Sequence, residues 1–178
     1  CSCDKIGSEE LAKKQKIESG VIRFKTPKIE VSFNDMIREK ITYDGSLFGD
    51  MVIAKNLDEP LYNFACVIDD KEMKISHIIR GEDHISNTPR QILIAKALNI
   101  ESPKFLHLPL ILGPDKSKLS KRHGTTTSIS DYQKQGYLPK ALINFIALLG
   151  WNPGSKDEII LLEELEKEFS YEKIQKSG

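Results

Sequence analysis

This sequence has few cysteines, no excess of positive charge and no long apolar segment. Three cysteines in 178 residues are too few for a disulfide scaffold, and the odd number argues against full pairing. Lys plus Arg equals Asp plus Glu, at 26 each, so the chain lacks the basic excess that typifies nucleic-acid-binding proteins. No stretch approaches the roughly 20 apolar residues that cross a bilayer. We therefore expect a cytoplasmic protein without a membrane segment, in which any RNA contact rests on local patches.

The composition that is present is ordinary for a globular protein. Hydrophobic residues make up 39% and charged residues 29% of the chain, and a chain of 178 residues can bury one sizeable core or two small ones. The sequence starts at Cys1 rather than Met and ends directly after a charged, helical stretch. We expect it to be an internal piece of a longer polypeptide.

The first 58 residues predict a small α/β unit. Residues 8–16 are polar and have a helical pattern, with Ser8 as a candidate N-cap. Asp44 and Gly45 mark a turn. Three apolar runs predict short strands, at residues 21–24, 30–33 and 51–54.

The pattern then changes to longer apolar segments. Residues 61–68 (LYNFACVI) form a nearly continuous apolar run, as expected of a strand covered on both faces, and residues 75–79 form a second. A helix follows, with Thr88 as a candidate N-cap and Pro89 at its first position. Residues 106–112 predict another strand. This order predicts an α/β fold with a doubly wound parallel sheet.

From residue 125 onward the pattern is helical. Residues 139–150 begin with Pro and end with Gly, as helices often do, and residues 161–169 predict a second helix. Trp151 is most simply a packing residue. An apolar stripe at helical spacing, which we expect to lie in the core, consists of Leu142, Phe145, Ile146 and Leu149.

A basic loop at residues 113–124 is the most informative segment for chemistry. It contains Lys118-Leu119-Ser120-Lys121-Arg122. Lysines on a loop suit a triphosphate, because they can place positive charge where negative charge develops in the transition state. The loop is not a Walker A motif, since no Gly-Lys-Ser/Thr opens a helix. The alternative interpretation is a solvated basic loop.

A second group of polar residues, Arg80 to His84, directly follows the predicted strand at 75–79. Ligands of open α/β sheets bind at the carboxyl ends of the strands, and an arginine there can grip a carboxylate through two parallel hydrogen bonds. The alternative is a surface ion pair of Arg80 with an acidic side chain such as Glu82. Tyr62 opens the apolar run at 61–68, where a core position is the simpler interpretation.

Metal ligands are hard to find in the pattern. The four histidines lie too far apart for a helical metal motif, and we assign none of them to a metal. Cys1 and Cys3 are too close for an easy mutual disulfide, so they are either free thiols or half of a metal site.

Five segments, taken in the order in which they occur along the chain, resemble the bacterial-type glutamyl-tRNA synthetases, a class I family. KLSKR at 118–122 is similar to the Lys-Met-Ser-Lys-Ser signature of that class. The resemblance covers almost the whole chain. Its other segments are LYNFACVIDD at 61–70, IRGEDH at 79–84 with NTPRQ at 87–91, LHLPLILG at 106–113, and residues 136–151.

The resemblance implies a two-step reaction. Glutamate attacks the α-phosphate of ATP, which is bound with Mg²⁺, and the resulting glutamyl-adenylate passes its glutamyl group to the 3′ end of glutamate tRNA. Lys118 and Lys121 would be the catalytic lysines. The implied ATP-binding residues are these two lysines with Ser120, Arg122 and Asp83. The implied glutamate-binding residues are Tyr62, Arg80 and Cys66.

The sequence also departs from the family pattern. The first half of the class I site, with its His-Ile-Gly-His signature, is absent, so we expect this piece alone to be inactive. Cys66 stands where some members carry a polar residue. Cys1 and Cys3 resemble the first pair of ligands of a structural Zn²⁺ site, but no second pair precedes residue 21. Either the insertion is reduced, or a segment near residues 15–16 is omitted; we favour the second explanation.

The resemblance also implies an architecture. We expect an α/β insertion that binds the tRNA acceptor end (1–58), the second half of a Rossmann-like catalytic domain (59–124), and the start of a helical stem-contact domain (125–178). We expect a monomer. The alternatives are the paralogue that attaches glutamate to the queuosine of aspartate tRNA, and a catalytically silent RNA-binding module.

Overall fold

A computed structural model describes residues 7, 9–10, 13, 20–113, 115–119 and 128–176. The chain forms two compact units. The first consists of residues 1–32, 42–75 and 87–102, and the second of residues 33–41, 76–86 and 103–178. Most of the predicted helix at 8–16 lies outside the described residues.

The regular elements of the described residues are named here in chain order. The strands are β1 (Ile22–Phe24), β2 (Glu30–Asp35), β3 (Glu39–Asp44), β4 (Met51–Ala54), β5 (His77–Gly81) and β6 (Lys104–Leu108). The α-helices are α1 (Tyr62–Glu72), α2 (Thr88–Ala97), α3 (Ile129–Lys134), α4 (Pro139–Leu148) and α5 (Leu162–Glu168). Short 3₁₀ helices span Gly45–Phe48, Glu82–Asn87 and Tyr171–Lys173.

The first unit is built on the antiparallel pair of β1 and β4. These strands confirm the predictions at 21–24 and 51–54. Helices α1 and α2 pack against each other, and α1 also packs on β4. The buried centre of this unit consists of Met51, Val67, Ile94 and Ala95, with Phe24, Ile53, Phe64 and Ile100 packed around it.

The prediction of a strand at residues 61–68 is wrong, because this run lies in helix α1. The backbone N–H groups of Phe64 and Ala65 donate to the carbonyl of Leu61, at 2.9 and 3.0 Å, and open the helix. An apolar run of this length fits a buried helix as well as a strand, and periodicity does not separate the two. Tyr62 is therefore the first helical residue, and its side chain is 53% exposed rather than in the core.

The second unit contains the parallel pairing that the sequence predicts. Strands β5 and β6 are parallel, and the chain passes through α2 between them. β2 also pairs with β6 in parallel, at Asp35 and Phe105, so the sheet order is β3-β2-β6-β5. The predicted strand at 106–112 starts earlier, at Lys104, and ends at Leu108. It ends there because Pro109 has no N–H to donate to a neighbouring strand.

The start of α2 also differs from the prediction. Asn87, not Thr88, is the N-cap residue, so Thr88 is the first helical residue and Pro89 the second. The reason is that residues 82–87 already form a 3₁₀ helix, and Asn87 has nearly helical dihedral angles, with φ −81° and ψ −31°.

The helical part of the second unit confirms the predicted helices at 139–150 and 161–169 as α4 and α5, which pack against each other. Trp151 is buried at 4% exposure and stacks on Phe169, as expected of a packing residue. The predicted core stripe is wrong, since Phe145 is 60% and Ile146 50% exposed. The 3.6-residue period shows that one face of a helix is apolar, but it does not show what covers that face.

Within the described residues, no helix is long and apolar enough to cross a membrane.

Candidate carboxylate and phosphate site

Three polar side chains lie side by side at the carboxyl ends of β2, β6 and β5 in the second unit. Asp35 ends β2 and pairs with Phe105 of β6. His107 lies on β6 directly beside Arg80 of β5 in the parallel register. The carboxyl edge of a parallel sheet is where ligands bind in α/β folds. The sequence pattern predicted that Arg80 belongs to this edge.

Asp35 is buried, at 2% exposure, and accepts four hydrogen bonds. Its Oδ1 accepts from the backbone N–H groups of Ile37 and Arg38, at 3.0 and 2.9 Å. Its Oδ2 accepts from the backbone N–H of His107 at 3.1 Å and from the His107 ring Nδ1 at 2.7 Å. A buried carboxylate needs such donors to offset its lost hydration.

His107 is fully buried and bridges Asp35 to Arg80. The Asp35 carboxylate accepts a hydrogen bond from His107 Nδ1. The proton of the neutral ring therefore resides on Nδ1, and Nε2 carries a lone pair. Nε2 accepts from Arg80 Nε at 3.2 Å. Burial lowers the pKa of His107 below its usual 6.5; the Asp35 carboxylate opposes this shift, and Arg80 and Arg38 add to it.

Aromatic packing also supports the Arg80 guanidinium. Its Cζ lies 6.0 Å from the centre of the Phe105 ring, within the range of a cation–π contact. Phe105 in turn stacks on His107, with ring centres 6.3 Å apart. The contact to His107 is made by Nε, so a carboxylate that approaches the two Nη atoms end-on is compatible with it.

A second arginine, Arg38, also forms hydrogen bonds at the carboxyl edge of the sheet. Its Nε donates to the carbonyl of His107 at 3.3 Å, and its Nη2 forms an ion pair with Glu82. The other oxygen of Glu82 accepts from the backbone N–H of Leu110 at 3.1 Å. Glu82 therefore pairs with Arg38, while Arg80 contacts His107 and Phe105.

Asp83 and Lys118, both predicted to contact ATP, form an ion pair. Their side chains are 33% and 55% exposed. The hydrogen bond from Lys118 is the main reason that the pKa of Asp83 lies below its usual 3.8. Gly81 makes room for this arrangement, because a Cβ at this position would lie 2.5 Å from Asp83 Oδ1.

A tight turn presents Lys118. The N–H of Gly113 donates to the carbonyl of Ser117 at 2.8 Å, and Leu112 pairs with Lys118 in an antiparallel bridge. Ser117 also donates, through its N–H and its hydroxyl, to the Asp115 carboxylate. The predicted basic loop thus starts with a hydrogen-bonded turn that places Lys118 beside Asp83.

The other predicted pocket residues, Tyr62 and Cys66, belong to the first unit. They are four residues apart on α1, so they share one face of the helix. Gln91 of α2 donates to Cys66 Sγ at 3.1 Å and to Asn63 Oδ1 at 3.1 Å. This buried glutamine fixes the half-buried Cys66 side chain.

Five of the predicted site residues lie outside the described residues: Cys1, Cys3, Ser120, Lys121 and Arg122. Among the residues that are described, no three His, Cys, Asp or Glu side chains come together as metal ligands. The pattern-based predictions missed Asp35, Arg38 and Gln91, and treated His107 as one of several scattered histidines. The signal available for His107 was its position inside an otherwise apolar strand.

Residues 2–178 match the family model described as tRNA synthetases class I (E and Q), catalytic domain. A glutamate–tRNA ligase of Natranaerobius thermophilus is 47% identical over 178 residues, which are 99% of this chain and 36% of that protein. Glutamate–tRNA ligase 1 of Thermoanaerobacter sp. (strain X514) is 58% identical over 156 residues, or 86% of this chain and 32% of that protein.

A solved structure supports the same relationship. The glutamate tRNA ligase of Elizabethkingia meningosepticum, crystallised in complex with its amino acid, is 39% identical and superimposes with a TM-score of 0.88. The match covers 98% of this chain and 39% of that one. The chain thus spans about a third of the length of the curated relatives that it matches, at 36% and 32%. It belongs to the class I tRNA synthetases (E and Q), and it lies within their catalytic domain.

Proposed function

We propose that this chain is part of the catalytic domain of a glutamate–tRNA ligase, an enzyme that activates glutamate with ATP and transfers the glutamyl group to the 3′ end of glutamate tRNA. The observation that carries the proposal is the Arg80 guanidinium, supported by His107 Nε2 and the Phe105 ring at the carboxyl edge of the sheet. The names of the relatives favour this function over the queuosine-modifying alternative, since curated proteins 46–58% identical to the chain are called glutamate–tRNA ligases.

Arg80, Tyr62 and Cys66 bind glutamate in this proposal. A planar guanidinium suits a carboxylate because it can donate two parallel hydrogen bonds. Tyr62 offers a hydroxyl from the first turn of α1, and its 53% exposure is compatible with contact to a ligand. Cys66 follows one turn later on the same face.

Lys118, Ser120, Lys121, Arg122 and Asp83 bind ATP, which arrives with Mg²⁺ as part of the substrate. Lys118 and Lys121 act as catalytic residues because their charges stabilise the phosphate oxygens as pyrophosphate leaves. The reaction needs no protein nucleophile, since the glutamate carboxylate itself attacks the α-phosphate. The ion pair between Lys118 and Asp83 supports this role by keeping the lysine ammonium at the edge of the site.

The flanking regions serve the tRNA. Residues 1–58 contact its acceptor end, and residues 125–178 contact its inner corner. The enzyme works as a monomer in the cytoplasm. Cys1 and Cys3 supply two thiolates to a structural Zn²⁺. A tetrahedral site needs four ligands, so two more are required besides these thiolates.

Glutamate-dependent exchange between ATP and pyrophosphate tests the proposal. The assay uses the full-length polypeptide that carries this chain, with and without tRNA, and compares glutamate with glutamine. We expect exchange with glutamate only, and its loss in Lys121→Ala. Lys96→Ala, an exposed lysine at the end of α2, is the matched control and keeps the activity. A folded wild-type protein without exchange under any condition contradicts the proposal.

A further inference from the structure

We propose that Asp35 and His107 are positioning residues that fix the Arg80 guanidinium in the orientation that binds a carboxylate. This inference rests on the proposed role of Arg80 in glutamate binding. Neither residue needs to touch the substrate, because both act through the hydrogen bond from Arg80 Nε to His107 Nε2, at 3.2 Å.

The three residues form one row across three strands. Arg80 and His107 are direct neighbours in the parallel register of β5 and β6, and Asp35 ends the adjacent strand β2. Side chains on strands within a sheet are held more firmly than side chains on loops, so the row is a rigid support. An arginine side chain loses much rotamer freedom when it binds, and a preformed contact reduces that cost.

The direction of the hydrogen bonds depends on Asp35. Its Oδ1 is committed to two backbone donors, and its Oδ2 accepts from both the backbone N–H and the ring Nδ1 of His107. A carboxylate has no proton to donate, so the His107 proton must reside on Nδ1. The lone pair on Nε2 then faces Arg80, which can only donate. In the opposite tautomer, the Nε2–H of His107 would point at the Nε–H of Arg80.

The surrounding charges favour the same state. The His107 ring contacts the Asp35 carboxylate through Nδ1 and the Arg80 guanidinium through Nε2, and the Arg38 guanidinium donates to the His107 backbone carbonyl. A protonated ring would lose its acceptor and would repel both arginines. Burial and these two arginines lower the pKa of His107, which agrees with a neutral ring that accepts from Arg80.

Three substitutions separate this positioning role from a purely structural one. Asp35→Asn places an amide NH₂ opposite Nδ1, which drives the His107 proton to Nε2 and turns the acceptor away from Arg80. His107→Leu removes the acceptor, whereas His107→Gln keeps an amide oxygen near the position of Nε2. His77→Gln is the matched control, because His77 is an exposed histidine on β5 that contacts Ser76.

The measurement is the exchange assay on the full-length polypeptide, with KM determined separately for glutamate and ATP. We expect Asp35→Asn and His107→Leu to raise the KM for glutamate about 10- to 100-fold, as for the loss of a hydrogen bond to a charged group. The KM for ATP stays within about threefold, and His107→Gln recovers most of the glutamate affinity. Equal losses for both substrates, or no advantage of Gln over Leu, would overturn the proposal.

Nitrogen NMR of the histidine rings keeps this test distinct from the test of the proposed function. We expect the wild-type spectrum to show a neutral His107 protonated at Nδ1, and the Asp35→Asn spectrum to show the opposite tautomer. A wild type protonated at Nε2 or at both nitrogens overturns the positioning role. If the tautomer is as expected but the wild type shows no glutamate-dependent exchange, the proposed function fails while the hydrogen-bond row stands as a structural feature only.

Discussion

At the scale of single residues, Gly81 controls where the Asp83 carboxylate can lie. A Cβ at position 81 would come within 2.5 Å of Asp83 Oδ1, so Gly81→Ala must displace that carboxylate and weaken its bond to Lys118. Since this bond is the main cause of the lowered pKa of Asp83, we expect the pKa to rise toward its usual 3.8 in the variant.

Carbon NMR of the Asp83 carboxyl group during an acid titration measures this change. Gly20→Ala is the control, because a Cβ at position 20 meets nothing within 4 Å. A titration curve of Gly81→Ala that superimposes on that of the wild type would show that Asp83 does not depend on Gly81.

The buried ring of His107 makes stability depend on pH. Its pKa is lowered in the folded state, chiefly by burial, so the unfolded chain takes up a proton near pH 6.5 while the folded chain does not. The stabilisation from the neutral ring is complete above about pH 6.5. It is lost as the pH falls from about 6.5 to the lower pKa of the folded state. We expect the free energy of unfolding to fall by up to about 1.4 kcal/mol per pH unit in this window from His107 alone.

Urea unfolding of the chain between pH 8 and pH 5 tests this linkage, with His107→Gln as the reference that cannot titrate. The wild type should lose stability more steeply than the variant below pH 6.5. Parallel curves, or a steeper wild-type slope above pH 7, would contradict a lowered pKa of His107.

From the sequence, candidate site residues could be predicted only where polar side chains stand next to an apolar strand. Arg80 and Asp83 follow an apolar strand directly, and the rule for parallel sheets places them at the functional edge. Asp35 could not be found in this way, because its partner His107 lies 72 residues away. Nothing in a local pattern indicates that a carboxylate at the end of one strand accepts from a ring on another.

At the scale of elements, the turn after β3 depends on Gly45. Its N–H donates to the carbonyl of Ile29 at 2.9 Å, and a Cβ at position 45 would lie only 2.3 Å from that oxygen. The neighbouring atom is backbone, which cannot rotate away. We therefore expect Gly45→Ala to destabilise the chain by about 1–3 kcal/mol through overpacking, measured by urea unfolding against Gly20→Ala. Equal midpoints for the two variants would show that the turn can open without cost.

In helix α1, the predicted type of element is wrong, but the predicted grouping of its side chains on one face is right. Residues 61–68 were expected to form a strand, and residues four apart share a face in either structure. The pairing of Tyr62 with Cys66 on one face therefore holds. Their separation changes, since four residues span about 13 Å in a strand but about 6 Å in a helix. Helix α1 packs against α2 and β4. The hydrophobic pattern of residues 61–68 alone does not contain the information about such tertiary contacts.

At the scale of the whole molecule, strand order and resemblance predicted the α/β class and the parallel pairing of β5 with β6. The path of β2 was not predicted. It was assigned to a separate insertion, yet its last residue pairs with Phe105 in the same sheet. Likewise, the buried centre of the first unit combines Met51 with Val67 and Ile94, from both sides of the predicted boundary at residue 58. Hydrophobic patterns identify which faces are apolar, but only the folded chain shows which faces meet.

The proposed function depends on the binding of the glutamate carboxylate by Arg80. The most direct test is the kcat/KM for glutamate of Arg80→Gln in the exchange assay on the full-length polypeptide. Arg23→Gln, an exposed arginine on β1, serves as the control. We predict a loss of at least about 100-fold for Arg80→Gln, as for removal of a charge-assisted pair, and little change for the control. Full activity of Arg80→Gln with glutamate would show that Arg80 does not bind the substrate carboxylate.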